Sequence, residues 1–345
     1  MTGPNSFASI FDLELDATES ENFRTRYHAQ MISDLGRFVE ATPGSDRDLL
    51  SAVTRLQGHQ VSPGIAVAHA RFEELTHVGE PVESSDIEHA LHLLREALED
   101  GPTRHGCSVG TLDVTQRWHD HFLALCSHEY EKAVDFYPNA VQRAEARPLP
   151  SVREAECKSI ISSVLSCLAE AAPSIHGDIV ALLSDVIVFE GEGFTGASAP
   201  SFFGAVLVRE PPSNGDEAWV WFAEHLTHEA SHQRMLLACA MDPLVATETL
   251  VTSPIRKDPR PLSGVVHALW VETRLAQAFD ALVSIRDRLP IKDTDRIEQK
   301  LDEFDALRVR CVDIVSNHRQ RLSAAGRDVL DACASLQVRH SSHHA

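Results

Sequence analysis

Apolar residues in the first half of the chain recur at three- and four-residue spacing, the period that gathers them on one face of a helix. Phe23, Tyr27, Met31, Leu35 and Phe38 form one such stripe, stopped by Thr42-Pro43-Gly44. Ser85-x-x-Glu88 spells a capping box ahead of Ile87, Leu91, Leu94 and Leu98, with Gly101-Pro102 as the break. Ser151-x-x-Glu154 opens a further helix that turns Ile160, Ile161, Val164, Leu165 and Leu168 inward before Pro173. The texture then changes. Residues 186–189 and 202–208 are short β-branched and aromatic runs on either side of the Gly/Ser-rich "EGEGFTGASAP", a pattern that predicts two strands of a small sheet.

After the turn "EPPSNGD", the region from about Asp216 to Met241 is apolar nearly all round, with Trp219, Trp221, Phe222, Leu226, Met235, Leu236 and Leu237 before the stop at Asp242-Pro243. A helix of that kind is buried centrally. The loop "TSPIRKDPRPLSG" leads to a second apolar helix, "VVHALWVETRLAQAFDALVSI". Leu307, Cys311, Ile314 and Val315, then Val329, Leu330, Cys333 and Leu336 after Gly326, read as closing helices, and the tail "RHSSHHA" as disordered. The expected fold is mainly α: a helical domain with a small β element next to the 216–241 helix. No repeat or low-complexity linker interrupts the chain. A single domain over 1–345 is therefore predicted, in successive parts: a helical N-terminal part to 180, a core over 181–285, closing helices over 286–338 and a tail over 339–345.

With 345 residues and an apolar share of 43%, the chain has ample material for a buried core. A formal charge of -20 argues against nucleic acid or an anionic membrane as partner, because phosphate surfaces repel such a field; a neutral or basic peptide remains admissible. Seven scattered cysteines with no C-x-x-C pair fit reduced thiols in a cytosol. No basic start followed by a long apolar run reads as a signal peptide, and no uncharged apolar stretch is long enough to span a bilayer. A cytoplasmic location is expected.

The chemistry sits in "HLTHEASHQRM". Residues four apart lie one above the other on a helix, so His228 and His232 can aim two imidazoles at one ion. Glu229 follows the first ligand, where a peptidase uses a glutamate to deprotonate water. In a chain with 19 histidines the five-letter pattern alone is weak. Its place in the middle of an apolar helix strengthens it, because a buried histidine pair without a metal needs hydrogen-bond partners that such a helix does not supply.

The third ligand decides the class. A metzincin would continue with glycine and histidine where this chain has Met235 and Ala238, so that class is excluded. A thermolysin-like site would take a glutamate, Glu248 or Glu272, from a second helix. Glu248 reads as a solvated carboxylate near the loop. Within "GVVHALW", His267 is flanked by apolar residues on the second helix and is taken as the third ligand, leaving Glu272 pointing elsewhere by helical phase. His225 shares the motif's face and is read as packed or supporting a ligand. "WHDHF" (His119, His121) and "SHEYEK" (His128, Glu129) have no second ligand at helical spacing and read as surface residues.

A three-histidine site permits zinc hydrolysis or iron oxygen chemistry. Arg256, Lys257 and Arg260 crowd the loop between the ligands. An arginine there is suited to hold the far carboxylate of a dicarboxylic cosubstrate by two parallel hydrogen bonds, whereas a peptidase has no need of it. The plainer alternative is an ion-paired loop involving Asp258.

Taken together, "LTHEASHQRM" and "SPIRKDPRPLSGVVHALWV" resemble the HExxH-type 2-oxoglutarate-dependent peptide hydroxylases of ribosomally made peptide natural products. That family follows H-E-x-x-H with S-P-W-R-x-D-P-R-P-L-x-G-x-x-H. The match covers His228, Glu229, His232, Ser253, Pro254, Arg256, Asp258, Pro259, Arg260, Pro261, Leu262, Gly264 and His267, with Ile255 where tryptophan is common. "ASAPSFFGAVLV" also looks like the family's strand before the motif helix. The resemblance extends over residues 180–285.

It implies Fe(II) held by His228, His232 and His267, with 2-oxoglutarate as cosubstrate at Ser253, Arg256 and Arg260, one arginine gripping its distal carboxylate. The implied reaction is β-hydroxylation of a side chain, often aspartate, in a precursor peptide. The position and size of the helical first half make it a candidate for binding that peptide's leader. Glu229, the candidate catalytic carboxylate, would then orient substrate or ligands. The alternatives are a zinc metallopeptidase with Glu229 as general base, and a non-catalytic helical binding protein whose histidines pack or hold a structural metal.

Overall fold

In the computed structural model, residues 11, 13–14, 17–42, 47–77, 82–101, 106–112, 123, 145–192, 195–255 and 259–338 are described. Among the features read from the sequence, Pro43-Gly44, Pro102, the histidines at 119, 121 and 128 with Glu129, Cys126, Arg256 to Asp258 and the tail from 339 lie outside them. The described residues are mainly helical with a small sheet, as the patterning predicts. They form two compact units, each assembled from separated segments: Glu21–Lys158 with Val180–Glu210, and Met1–Ser20 with Ser159–Ile179 and Pro211–Ala345. These units interleave along the chain, whereas the expected parts follow one another.

The first unit holds the sheet. Its helices are most of α1 (Ala17–Ala41), α2 (Arg47–Thr54), α3 (Pro63–His77), α4 (Ser84–Glu99) and the start of α5 (Ser151–Ala171). Strands β1 (Ser108–Thr111), β3 (Asp185–Glu192) and β5 (Ala205–Arg209) run parallel in the order β1-β3-β5, β4 (Gly196–Ala197) lies antiparallel on β5, and β2 (Glu145–Arg147) pairs antiparallel with the end of β3. Parallel neighbours share a register that sets Val186 beside Val109 and Val206. Strands β3 and β5 fall where the two apolar runs predict them; Phe202 and Phe203 stand just before β5, with Phe202 in a short 3-10 turn. The core packs Val67, Leu112, Ile187, Phe189, Phe202, Ala205 and Leu207.

Two local expectations are corrected here. Glu83, not Ser85, precedes the first turn of α4, and no side chain caps it, so the Ser85-Glu88 box does not form. On α1 the buried stripe is Arg24, His28, Met31, Ile32, Leu35 and Val39, one step round from the aromatic stripe. The polar pair is accommodated by hydrogen bonds: Arg24 donates to the Ala181 carbonyl, and His28 Nδ1 accepts from the Val61 amide at 3.3 Å.

The second unit is built on two long helices, α7 (Asp216–Met241) and α8 (Leu262–Ser284), after α6 (Pro173–Leu182) and before α9 (Asp295–Ser316) and α10 (Ala324–Ser335). Helix α7 starts after Gly215, which takes the left-handed conformation at φ 69° that a side chain disfavours. Asp216 and Glu217 follow in its first turn, favourable to the helix dipole. Its end at Met241 matches the Asp242-Pro243 stop. Helix α8 packs against α7, α9 and α10, so it is the centre of the unit, and Val266, Trp270, Ala278 and Phe279 are fully buried along it. No helix among the described residues is long and apolar enough to cross a membrane.

Candidate metal centre

Sixteen residues of α7 are buried, and the partly accessible positions in the middle of the helix fall at three- and four-residue steps: Trp221, Glu224, His228, His232 and Leu236. That spacing is one stripe. On α8 the accessible positions fall at its two ends, Ser263, Gly264, His267 and Ala268 at the start and Gln277, Asp280, Ala281, Val283 and Ser284 at the finish, with Leu269 to Ala276 buried between. The motif histidines thus occupy an accessible stripe in the middle of α7 and the accessible first turns of α8.

The start of α8 is fixed by a small antiparallel pair, β6 (Leu250–Val251) with β7 (Arg260–Pro261), in which Val251 faces Arg260. Glu248 completes it. Its Oε1 accepts from the Thr249 amide at 3.0 Å and the Ser263 amide at 3.3 Å, while the Leu262 amide donates to the Thr249 carbonyl at 2.9 Å. Although burial acts to raise its pKa, these donors hold the Glu248 carboxyl below the usual carboxylate range. Glu248 is exposed, as expected of a solvated carboxylate, and it also holds the entrance to the histidine-bearing helix by accepting from the Ser263 amide of its first turn.

The fold brings the three predicted ligands together. His232 Nε2 lies 2.9 Å from His228 Nε2, and His232 Nδ1 lies 2.6 Å from His267 Nε2, with ring centroids 4.6 and 4.7 Å apart. Burial pushes His228 down to about 3 and His267 to about 4, and His232 lies well below the normal histidine range, burial being the largest cause in each. All three are neutral at physiological pH, the state in which imidazole offers a lone pair to a metal.

Donor type and location fit a divalent transition metal, but the ring orientation does not yet. His232 offers opposite nitrogens to its two neighbours, so the three lone pairs do not meet at one point. Among the described residues no group of three His, Cys, Asp or Glu side chains is arranged to hold an ion.

The other candidates separate. His225 Nδ1 is 2.9 Å from the Trp221 carbonyl and its ring stacks on Trp221 at 4.0 Å, so it packs. Glu229 is buried, 3% exposed, outside the accessible stripe. Glu272 lies away from the histidine group, where the charges of Glu224, Lys300 and Arg310 act on it; burial first, then Glu224, pushes it up to about 7, and its Oε2 is buried without a hydrogen-bond partner. Ser253 is buried and accepts from the Ile255 amide at 3.3 Å. Arg260 is half-buried at the entrance to α8, which lowers its guanidinium pKa. Arg256 lies outside the described residues. Ile255, at the position where the resembled family has tryptophan, is 51% exposed.

Sequence reasoning missed a buried polar cluster behind the histidines, formed by Asp178, Arg234 and Arg274 around Trp270. Its signal was present, because two arginines inside apolar helices require a partner. The chain matches no protein-family model and no curated protein.

Proposed function

We propose that the chain is an Fe(II)- and 2-oxoglutarate-dependent oxygenase that hydroxylates a side chain of a ribosomally made precursor peptide, at the β-carbon and with aspartate foremost, as in the HExxH-type family it resembles. One observation carries the reading: three neutral imidazoles from two helices lie in hydrogen-bond contact where the accessible stripe of α7 faces the accessible start of α8. His228, His232 and His267 would hold the iron. Bound iron with 2-oxoglutarate supplies dioxygen activation and oxidative decarboxylation to succinate.

The chain's own residues do the remainder. Because burial keeps the histidines neutral, no proton has to leave them before a cation binds. An arginine of the 253–260 loop, Arg260 or Arg256, holds the distal carboxylate of the cosubstrate through two parallel hydrogen bonds, with Ser253 in the same loop. Glu229 stays inside the helix packing and supports the ligand helix. The zinc metallopeptidase alternative needs Glu229 as a general base, and its burial outside the accessible stripe counts against that role.

The test is anaerobic reconstitution with Fe(II) and 2-oxoglutarate followed by oxygen, with succinate measured. Succinate in proportion to bound iron is expected. Zinc-dependent cleavage of peptides with no succinate would overturn the reading.

A further inference from the structure

Behind the histidines, on the core side of α7 and α8, lies a cluster whose members are almost wholly excluded from solvent. Asp178 of α6 accepts from Arg234 Nη1 of α7 at 2.7 Å and from Arg274 Nη2 of α8 at 2.5 Å through one oxygen, and from Ser20 Oγ at 2.6 Å through the other. Both guanidiniums also lie against the Trp270 ring, Arg234 at 5.3 Å and Arg274 at 5.7 Å from its centroid, and Phe11 meets the same ring edge-on. Arg274 is held further by the Leu13 carbonyl at 2.8 Å, Gln277 Oε1 at 2.8 Å and the Ser174 carbonyl at 3.3 Å. Burial acts to raise the Asp178 carboxyl, but Arg234 and Arg274 outweigh it and hold the group ionised.

The cluster's place in the helices matters more than its strength. Arg234 follows His232 by two residues, which puts it on the opposite side of α7, and Trp270 follows His267 by three, one turn along α8. The contact of Arg234 with Trp270 therefore ties α7 to α8 within a turn of the contact between His232 and His267. A buried bidentate or stacked guanidinium has few alternative placements, so the tie fixes both the separation and the rotation of the two helices.

We propose that Asp178, Arg234 and Trp270, with Arg274 as a brace, are positioning residues that set the approach of the His232 and His267 rings. The inference concerns the same histidines as the proposed function but does not require that they hold a metal.

The test uses full-length, metal-free protein with ring-15N histidine, the resonances of His232 and His267 being assigned from H232Q and H267Q. Asp178→Asn and Arg234→Lys are compared with Asp305→Asn, a control that disturbs another buried ion pair of the same unit, in which Asp305 Oδ1 meets Arg308 Nη2 at 2.6 Å on α9. The expected result is that the first two variants move the His232 and His267 ring signals, while the control lowers the melting temperature and leaves them in place. Arg234→Lys keeps a positive charge but removes the planar guanidinium, and with it both the Nη1 hydrogen bond to Asp178 and the contact with Trp270, so it reports even where Asp178→Asn does not fold. Unmoved signals in folded Arg234→Lys, or equal movement in the control, overturn the proposal.

Co(II) titration separates the two readings. Where wild type takes up Co(II), the positioning variants should bind it about 10- to 100-fold more weakly, the range found when groups that orient metal ligands are lost, and an affinity equal to wild type in both would count against the tie. A wild type that binds no Co(II) sinks the metal reading alone, and the ring signals still decide the positioning role.

Discussion

Glu272 gives the sharpest quantitative expectation. It is 6% exposed on α8, and its carboxyl is pushed from 4.5 up to about 7 by burial first and Glu224 second, against the lowering pull of Lys300 and Arg310. The Cys311 thiol on α9, itself pushed up to about 12 by burial and by Glu272, stays neutral beside it. With a folded pKa above the unfolded one, the folded chain retains a proton that the unfolded chain releases between about pH 4.5 and 7. This group's contribution is therefore most favourable below pH 4.5 and is lost as pH rises through 7. A shift of 2.5 units at about 1.36 kcal/mol per unit is a loss of about 3 kcal/mol.

Glu272→Gln removes the titration while keeping the shape. Urea unfolding followed by tryptophan fluorescence suits the measurement, because Trp219, Trp221 and Trp270, three of the four tryptophans, lie on α7 and α8. The histidine trio has the opposite dependence, with folded pKa values below the unfolded value, but it is common to both proteins and cancels in the difference. The stability of Glu272→Gln minus that of wild type should grow by about 2.5 kcal/mol from pH 5 to pH 8, the remainder of the shift lying below pH 5. A difference that stays flat over that range refutes the reasoning about its burial.

His267→Ala should lower Fe(II) or Co(II) affinity at least about tenfold in an anaerobic titration, and unchanged stoichiometry and affinity would remove it from the ligand set. Arg260→Ala should weaken 2-oxoglutarate binding by about 1.5–3 kcal/mol, the value of hydrogen bonds to a charged group; if only Arg256→Ala does so, Arg256 is the clamp, and no effect from either removes the cosubstrate argument. Gly326→Ala should cost about 1–3 kcal/mol in chemical denaturation, because a Cβ there would stand 1.9 Å from the Leu244 carbonyl oxygen, which already accepts from the Ser323 amide; wild-type stability would contradict that packing.

Sequence legibility tracked how far each segment's fate depends on its own residues. Helix α7 was legible almost to the residue because an apolar surface lies between the turn ending at Gly215-Asp216 and the Asp242-Pro243 stop, and the four-residue step from His228 to His232 needs only helical geometry; α8 was read from Val265 and begins three residues earlier, at Leu262. His267 was legible as an apolar-flanked imidazole on the neighbouring helix. The strand β1 was not, since "SVGT" has little strand character of its own and takes its conformation from parallel pairing with β3, far along the chain. On α1 the face chosen for burial depended on distant acceptors for Arg24 and donors for His28, which no periodicity reports. Glu248 is exposed, as read from the sequence, but its part in the start of α8 was not legible, because its partners, the amides that begin α8, come into reach only through the β6–β7 pairing.

The order of the imidazoles bears on whether a cation can displace them. A neutral His232 carries one N–H, so it donates to one neighbour and accepts from the other, and the chain from His228 through His232 to His267 is satisfied when the protons point in one direction along it. Binding one ion through all three rings requires His232 to turn and the two ring-to-ring hydrogen bonds to be lost. At about 0.5–1.5 kcal/mol net for each, that loss is about 1–3 kcal/mol. Apparent binding energies for structural zinc reach about 10–16 kcal/mol, so the hydrogen-bonded chain is a small barrier beside the gain from coordination. What the two helices must supply is the approach of the rings, and that separation is set by packing behind α7 and α8, where the turning of one imidazole leaves the backbone undisturbed.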